Sequence, residues 1–171
     1  MRIVSSVASP SPNVQYAALP WRVTRGTLEI LLITTLSTKR WIVPKGWPLK
    51  NLSPPDCAAH EALEEAGVEG EIAAKPIGSF DYTKQRKNGE GTRVRVQVYA
   101  MQVAHQRRSW AEKRARETHW YSVEEALARV SEPGLRRVIA SFANASRRFS
   151  DRSTAPANGK LRSDRQGRSL T

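Results

Sequence analysis

Three glutamates have the spacing that points most directly to chemistry. Glu61, Glu64 and Glu65 stand at positions i, i+3 and i+4 of a predicted helix, which brings their carboxylates together within about 6 Å. Like charges at this spacing destabilise a helix, and no lysine or arginine lies within one turn of them on it. A bound divalent cation such as Mg²⁺ relieves the repulsion, because it prefers hard oxygen ligands. The alternative is a solvated acidic face, and spacing alone does not decide between the two.

The helix that carries these glutamates has clear start and stop signals. Ser53 is a suitable N-cap, Pro54 suits the first helical position, and Asp56 completes a capping box. Gly67 stands where a glycine in the left-handed conformation ends many helices. On the side opposite the glutamates, the spacing predicts a buried apolar stripe made of Ala59, Ala62, Leu63 and Ala66.

Short apolar segments on both sides of this helix predict a β-sheet. The segment 92–103 alternates between apolar and polar residues, which is the pattern of a half-buried strand. The segment 44–48 is rich in Pro and Gly and is predicted to be a loop. Further helices are predicted at 122–130 and 133–145, which together with the sheet makes a layered α/β domain. Strands are predicted at 14–23, 28–35, 41–43, 71–74, 77–84 and 92–103.

The charge of the chain favours an anionic partner. The formal net charge is +12 at pH 7, and residues 147–171 carry seven Lys or Arg against two Asp. This C-terminal segment has few apolar residues and is predicted to be a disordered basic tail. A nucleic-acid-binding arm is the alternative and is not favoured. Residues 1–12 are predicted to be a flexible N-terminal segment.

Length and composition bound the class of protein. The chain has 171 residues, which is enough for one domain, predicted at 13–146. No apolar run approaches the ~20 residues that cross a bilayer, and no membrane partner is expected. The single cysteine, Cys57, excludes an intrachain disulfide, and no signal peptide is recognisable. A cytoplasmic location is therefore predicted.

The spacing of glycine and glutamate resembles the signature of the Nudix hydrolase family. Gly46, then Glu61, then the run Glu64-Glu65-Ala66-Gly67-Val68 follow the family pattern, which joins a glycine, an Arg-Glu pair, two adjacent glutamates and a second glycine. The resemblance extends over about residues 14–145. Two positions depart from it: Leu52 replaces the first glutamate of the signature, and His60 replaces its arginine. In the family, these two positions mainly support the signature structurally.

The resemblance implies a fold, a cofactor and a set of site residues. The implied fold is a Nudix-type α/β/α sandwich with a mixed β-sheet, and the implied cofactor is Mg²⁺ or Mn²⁺. Glu61, Glu64 and Glu65 are the implied catalytic residues, with Glu64 acting as ligand or base. Family members often add a carboxylate from a downstream loop, for which Glu112 and Glu117 are the candidates; a salt-bridged surface glutamate is the alternative for each. The implied metal ligands are Gly46, Glu61, Glu64, Glu65 and Glu112.

The implied activity is hydrolysis of a phosphoanhydride bond in a phosphorylated small molecule. The order of features beyond the signature resembles the diphosphoinositol polyphosphate phosphohydrolase branch, so nucleoside polyphosphates, dinucleoside polyphosphates and diphosphoinositol polyphosphates are all expected substrates. Two alternatives stay open: a non-catalytic sensor of a phosphorylated ligand, and an RNA pyrophosphohydrolase that uses the basic tail. The predicted substrate-binding cations are Lys45, Lys50, Lys84, Arg86, Arg93 and Arg95.

Overall fold

The computed structural model describes residues 13–85 and 87–153, with side chains as far as Arg148. Eight strands and three helices follow one another along these residues. The elements are β1 (Val14–Thr24), β2 (Thr27–Thr34), β3 (Trp41–Ile42), β4 (Lys45–Gly46), α1 (Pro54–Ala66), β5 (Val68–Ile72), β6 (Gly78–Gln85), β7 (Gly91–Gln106), β8 (Thr118–Ser122), α2 (Val123–Arg129) and α3 (Pro133–Ser153).

The strands form one mixed sheet. Its central order is β3-β2-β1-β7-β5, with β4 paired to β1, β6 to β7 and β8 to β2. The β1–β7 pair is parallel and the other pairs are antiparallel. Helix α1 packs on one face of the sheet, whereas α2 and α3 pack on the other. The predicted α/β/α sandwich with a mixed sheet is confirmed.

The sheet separates two hydrophobic cores because alternate residues of a strand face opposite sides. On β1, Ala17 and Leu19 are buried in the core that includes α2 and α3. Tyr16 and Ala18 are buried in the core that includes α1. Burial on both faces makes β1 a fixed platform, against which β4 and α1 are placed.

The predicted ends of α1 are confirmed. The Ser53 side chain accepts a hydrogen bond from the Asp56 N–H, and Pro54 opens the helix. Gly67 adopts the left-handed conformation with φ of 68°, and its N–H bonds to the last carbonyls of the helix. These local signals depend only on neighbouring residues, which is why the sequence was sufficient to predict them.

The buried face of α1 differs in part from the predicted stripe. Ala62 and Ala66 are buried as predicted, but Ala59 and Leu63 are only partly buried. Glu65, which was predicted on the exposed face, is buried with 7% exposure. The partners that permit its burial come from β4 and from the loop 107–117, outside the helix.

Several predicted strand and helix bounds were wrong. Lys45–Gly46, predicted as loop, is the strand β4, because its backbone pairs with Tyr16 and Ala17 of β1. The predicted strand 71–74 is instead Val68–Ile72, which begins directly after the helix cap and pairs with β7. Pairing with a long neighbour extends a strand beyond the bounds that local composition indicates.

The last helix is also longer than predicted. Helix α3 continues to Ser153, so the first residues of the predicted tail are helical. The predicted N-terminal segment 1–12 and the remainder of the tail, 154–171, lie outside the described residues. Within the described part of the chain, no helix combines the length and hydropathy that crossing a membrane requires.

The loop 107–117 is attached to the C-terminal end of α1 by backbone contacts and by one aromatic ring. The Arg107 N–H donates to the Gly67 carbonyl at 2.8 Å, and the Glu112 N–H donates to the Glu64 carbonyl at 3.1 Å. The Trp110 ring covers Gly67 so closely that a Cβ at that glycine would overlap it. Gly67 is therefore required both for its backbone conformation and for the space it leaves.

We expect Gly67→Ala to lower the free energy of unfolding by about 2–4 kcal/mol, because it combines left-handed strain with overlap on Trp110. Gly89→Ala is the matched control, since Gly89 has φ of 83° and open space around it. The control should lose only about 1 kcal/mol. Urea denaturation measures both values, and equal losses would show that contact between Gly67 and Trp110 is unimportant.

Candidate metal centre and active site

The backbone of Gly46 and the side chain of Glu61 meet at the centre of the candidate site. Gly46 lies on β4, whose pairing with Tyr16 of β1 fixes its position. A Cβ at Gly46 would overlap the Glu61 carboxylate. Only glycine therefore allows this approach, and two of the predicted metal ligands are brought together.

The electrostatic environment of Glu61 shows that other acidic side chains lie close to it. Burial raises the pKa of Glu61, and repulsion from Glu64 and Glu112 raises it further. His60 and Lys45 oppose this effect and lower the pKa. A carboxylate whose ionisation is disfavoured by its neighbours is a suitable ligand for a cation, because the cation removes that repulsion.

Glu61 and Glu64 form a compact group with His60. One potential ligand atom from each of the three residues lies within 4.8 Å of the other two. Glu64 is half exposed, and its Oε2 lies 3.8 Å from His60 Nδ1. That nitrogen is buried and has no hydrogen-bond partner among the residues that the structure describes. The structure thus brings together two of the three predicted catalytic glutamates and one residue that was predicted only to support them.

Glu65 has a different environment from the one predicted. Its Oε1 accepts a hydrogen bond from Arg116 Nη2 at 2.5 Å, and its Oε2 accepts one from the Lys45 N–H at 3.0 Å. Burial raises the pKa of Glu65 to about 7, although Arg116 and the Lys45 N–H lower it. Glu65 was predicted to lie on the face opposite the buried stripe, but it is buried beside Arg116, a cation from a segment distant in sequence.

Arg116 connects three parts of the site. Its guanidinium pairs with Glu65 and with Glu112, and it also donates to the Thr34 carbonyl at the end of β2 at 3.0 Å. The side chain is 11% exposed. No role was predicted for Arg116, because no local pattern relates it to Glu65, which lies 51 positions earlier in the chain.

Glu112 lies beside the acidic group, whereas Glu117 is exposed. Glu112 is hydrogen-bonded through its backbone to Glu64 of α1, and its carboxylate raises the pKa of Glu61. The Glu112 carboxylate is also paired with Arg116. Glu112 therefore forms a salt bridge and lies beside the acidic group at the same time. Glu117 is exposed, and its backbone pairs with Thr34.

Lys45, one of the predicted substrate-binding cations, lies beside the acids. Its ammonium lies 4.8 Å from the centre of the Tyr82 ring and 3.5 Å from the Tyr82 hydroxyl. That hydroxyl donates to Gln15 Oε1 at 2.8 Å. Burial lowers the pKa of Lys45, and Glu65 opposes this effect. Lys45 therefore stands as a half-buried cation between the acidic group and a polar aromatic pair.

Lys84 lies near Lys45 on the same side of the molecule. Lys84 contributes to lowering the pKa of Lys45, which shows that the two ammonium groups are close. Its Nζ lies 5.2 Å from the centre of the Trp47 ring. Lys50 is exposed, and Arg86 lies outside the described residues.

Arg93 and Arg95 both bind Asp81 across the β6–β7 pair. Arg95 Nε donates to Asp81 Oδ1 at 3.0 Å, and Arg93 Nε donates to Oδ2 at 2.9 Å. The bonds from Arg95 and Arg93 lower the pKa of Asp81 to about 2. Arg93 and Arg95 thus already have Asp81 as a partner within the protein. A phosphate that contacts either arginine shares it with this carboxylate.

Removing the Arg116 side chain should destabilise the metal-free protein by roughly 2–4 kcal/mol, because it leaves the buried Glu65 carboxylate without its cation. The loss should be larger at pH 8 than at pH 5, since the pKa of Glu65 is about 7 and a protonated carboxyl needs no cation. Urea denaturation of Arg116→Ala at the two pH values measures this.

The matched control for Arg116 is Arg107→Ala. Arg107 belongs to the same loop, but its pair with Glu69 is exposed on both sides. Such a pair contributes about 0–1 kcal/mol. A loss in Arg116→Ala that is as small as that in Arg107→Ala would contradict the proposed importance of the buried pair.

Comparison with known proteins identifies the family. The profile of the NUDIX domain matches residues 15–142. Nudix hydrolase 12, mitochondrial, from Arabidopsis thaliana is 26% identical over 118 residues, which cover 67% of this chain and 58% of that protein. Diphosphoinositol polyphosphate phosphohydrolase 3-beta from Bos taurus is 30% identical over 113 residues, which cover 65% of each. The chain thus spans less than two thirds of the length of both curated relatives.

Solved structures show the same fold. The C. elegans Ap4A hydrolase in a binary complex superimposes with a TM-score of 0.61 at 17% identity, covering 80% of this chain and 98% of that one. The NUDIX domain of Shewanella oneidensis NrtR complexed with ADP ribose gives 0.60 at 14% identity, covering 83% and 91%. The family profile matches most of the length of the chain, and the same fold surrounds the signature residues. The chain belongs to the Nudix hydrolase family.

Proposed function

We propose that the protein is a metal-dependent hydrolase that cleaves a phosphoanhydride bond in a nucleoside polyphosphate, a dinucleoside polyphosphate or a diphosphoinositol polyphosphate. The observation that carries this proposal is the convergence of Glu61, Glu64 and Glu112 beside the bare backbone of Gly46. Membership of the family supports it, as do relatives whose names refer to diphosphoinositol polyphosphate and to Ap4A.

The residues of the site suit a divalent cation. Carboxylates and a backbone carbonyl are hard oxygen ligands, and the space above Gly46 would be closed by any side chain. Mg²⁺ or Mn²⁺, when bound, neutralises charge on phosphate oxygens and lowers the pKa of an attacking water. The proposed ligands are Gly46 through its carbonyl, Glu61, Glu64, Glu65 and Glu112.

The glutamates have distinct proposed roles. Glu61 is the central ligand because it lies against Gly46. Glu64, which is half exposed, acts as a ligand or as the base that accepts a proton from water. Each Glu65 oxygen accepts one hydrogen bond, Oε1 from Arg116 and Oε2 from the Lys45 N–H. A carboxylate has about four acceptor sites. Its remaining capacity keeps it in the ligand set.

The cations beside the acids are proposed to bind the phosphates of the substrate. Lys45 lies beside the acidic group, and Lys84 is its neighbour. Phosphoryl transfer depends mainly on positioning and on neutralising the charge of the non-bridging oxygens. Two ammonium groups beside a metal site supply that charge, which favours substrates with at least two linked phosphates. Lys50, Arg86, Arg93 and Arg95 complete the proposed substrate-binding set.

A cytoplasmic location is part of the same proposal. It is supported by Cys57, the single cysteine of the chain, which is buried and reduced.

The proposal is tested by measuring phosphate release from a panel of polyphosphates with Mg²⁺ and with Mn²⁺. We expect turnover of at least one member and a loss of about 100-fold or more in kcat for Glu61→Gln, since a metal ligand contributes several kcal/mol. Glu117→Gln is the matched control and should retain its activity, because Glu117 is exposed outside the site.

The panel also separates the alternatives. It includes an RNA with a 5′-triphosphate, and turnover of that RNA alone would replace the small-molecule assignment. Binding without turnover of any member would favour a sensor of phosphorylated ligands. Equal activity of Glu61→Gln and the unaltered protein would show that the glutamate group is not the active site.

A second test concerns the cation beside the metal. Lys45→Met should raise KM by roughly tenfold or more for polyphosphates, because a hydrogen bond to a charged group contributes about 1.5–3 kcal/mol. Lys75→Met is the control and should change KM by no more than about twofold, since Lys75 is exposed and is not in the proposed substrate-binding set. Equal effects of the two substitutions on KM would argue against Lys45 as a phosphate ligand.

A further inference from the structure

His60 has an unsatisfied nitrogen in the middle of the acidic group. Its side chain is 40% exposed as a whole, yet its Nδ1 atom is buried and has no hydrogen-bond partner within residues 13–85 and 87–153. A buried polar atom normally has a partner, and its absence is costly. A cation bound between His60 and the carboxylates beside it would supply that partner.

The distance between His60 and Glu64 is that of two ligands of one ion rather than of hydrogen-bonded neighbours. His60 Nδ1 lies 3.8 Å from Glu64 Oε2, which is too long for a hydrogen bond. Two donor atoms that bind one metal at about 2.1 Å are about 3.0–4.2 Å apart. One ligand atom each from His60, Glu61 and Glu64 lies within 4.8 Å of the others. The separation of His60 Nδ1 and Glu64 Oε2 lies within that range.

The family signature has arginine at this position, and arginine cannot fill such a role. Its guanidinium stays protonated and has no lone pair to offer a metal. A neutral imidazole is by contrast a common metal ligand. The other two histidines have different environments: His119 packs against Tyr121, and His105 is exposed on β7.

We infer that His60 is a metal ligand, which makes this site prefer Mn²⁺ and Co²⁺ over Mg²⁺. The inference rests on the proposed function, since it concerns the same metal centre. Mg²⁺ prefers oxygen ligands, whereas imidazole suits later transition metals. An imidazole nitrogen added to several carboxylates therefore increases the affinity for Mn²⁺, and increases that for Co²⁺ further, in the order of intrinsic metal affinities. It increases the affinity for Mg²⁺ only a little.

The test uses the full chain and the metals alone, without substrate. Calorimetric titration gives the ratio of Mn²⁺ to Mg²⁺ affinity in the unaltered protein, in His60→Arg and in His60→Gln. We expect the ratio to fall about tenfold or more in both variants. His105→Gln is the matched control and should leave the ratio unchanged. Circular dichroism verifies that each variant is folded, and His60→Gln serves if His60→Arg is not.

Pulsed electron paramagnetic resonance of bound Mn²⁺ provides a direct readout. The unaltered protein and His105→Gln should show modulation from a directly bound ¹⁴N nucleus, and His60→Gln should not. Mn²⁺ binding without this modulation, and with the same metal preference in His60→Gln, would overturn the inference and leave the hydrolase proposal intact. Failure of the folded, unaltered protein to bind either metal would overturn both.

Discussion

The burial of the Glu65 carboxylate is the constraint on which the geometry of the site depends. A carboxylate leaves water only when other groups replace its hydration. Here Arg116 and the Lys45 N–H contact one oxygen each. These partners come from the loop 107–117 and from β4, so satisfying one buried charge fixes α1 against two other segments. Because Arg116 also pairs with Glu112, the same contact delivers a fourth acidic side chain to the site.

Two glycines complete this arrangement, because each allows a side chain from another part of the chain to lie against its backbone. Gly46 lets the Glu61 carboxylate lie against the backbone of β4, and Gly67 lets the Trp110 ring cover the end of α1. Any larger residue at either position would separate elements that must touch. The signature glycines are thus explained by space: one opens the metal centre, and the other attaches the loop that carries Arg116 and Glu112.

The site has an acidic side and a basic side, which suits a metal-bound polyphosphate. The acids converge around Glu61, while Lys45 lies between them and the aromatic ring of Tyr82. The net charge of +12 makes the surroundings favourable for anions. Arg93 and Arg95 contribute to this field but are paired with Asp81, so their charge is partly compensated within the protein. His60 stands where the signature has arginine, so a permanently charged hydrogen-bond donor is replaced by an imidazole beside Glu61 and Glu64.

The sequence by itself determined the local features: the caps of α1 at Ser53 and Gly67, the alternation along β7 and the spacing of the glutamates. Each of these depends on residues that are neighbours in the chain, so propensity and periodicity were sufficient. Only the tertiary structure decided that Glu65 is buried and that β4 is a strand. Their partners, Arg116 and β1, are distant in sequence, and no local pattern encodes which distant group neutralises a charge or completes a backbone pair.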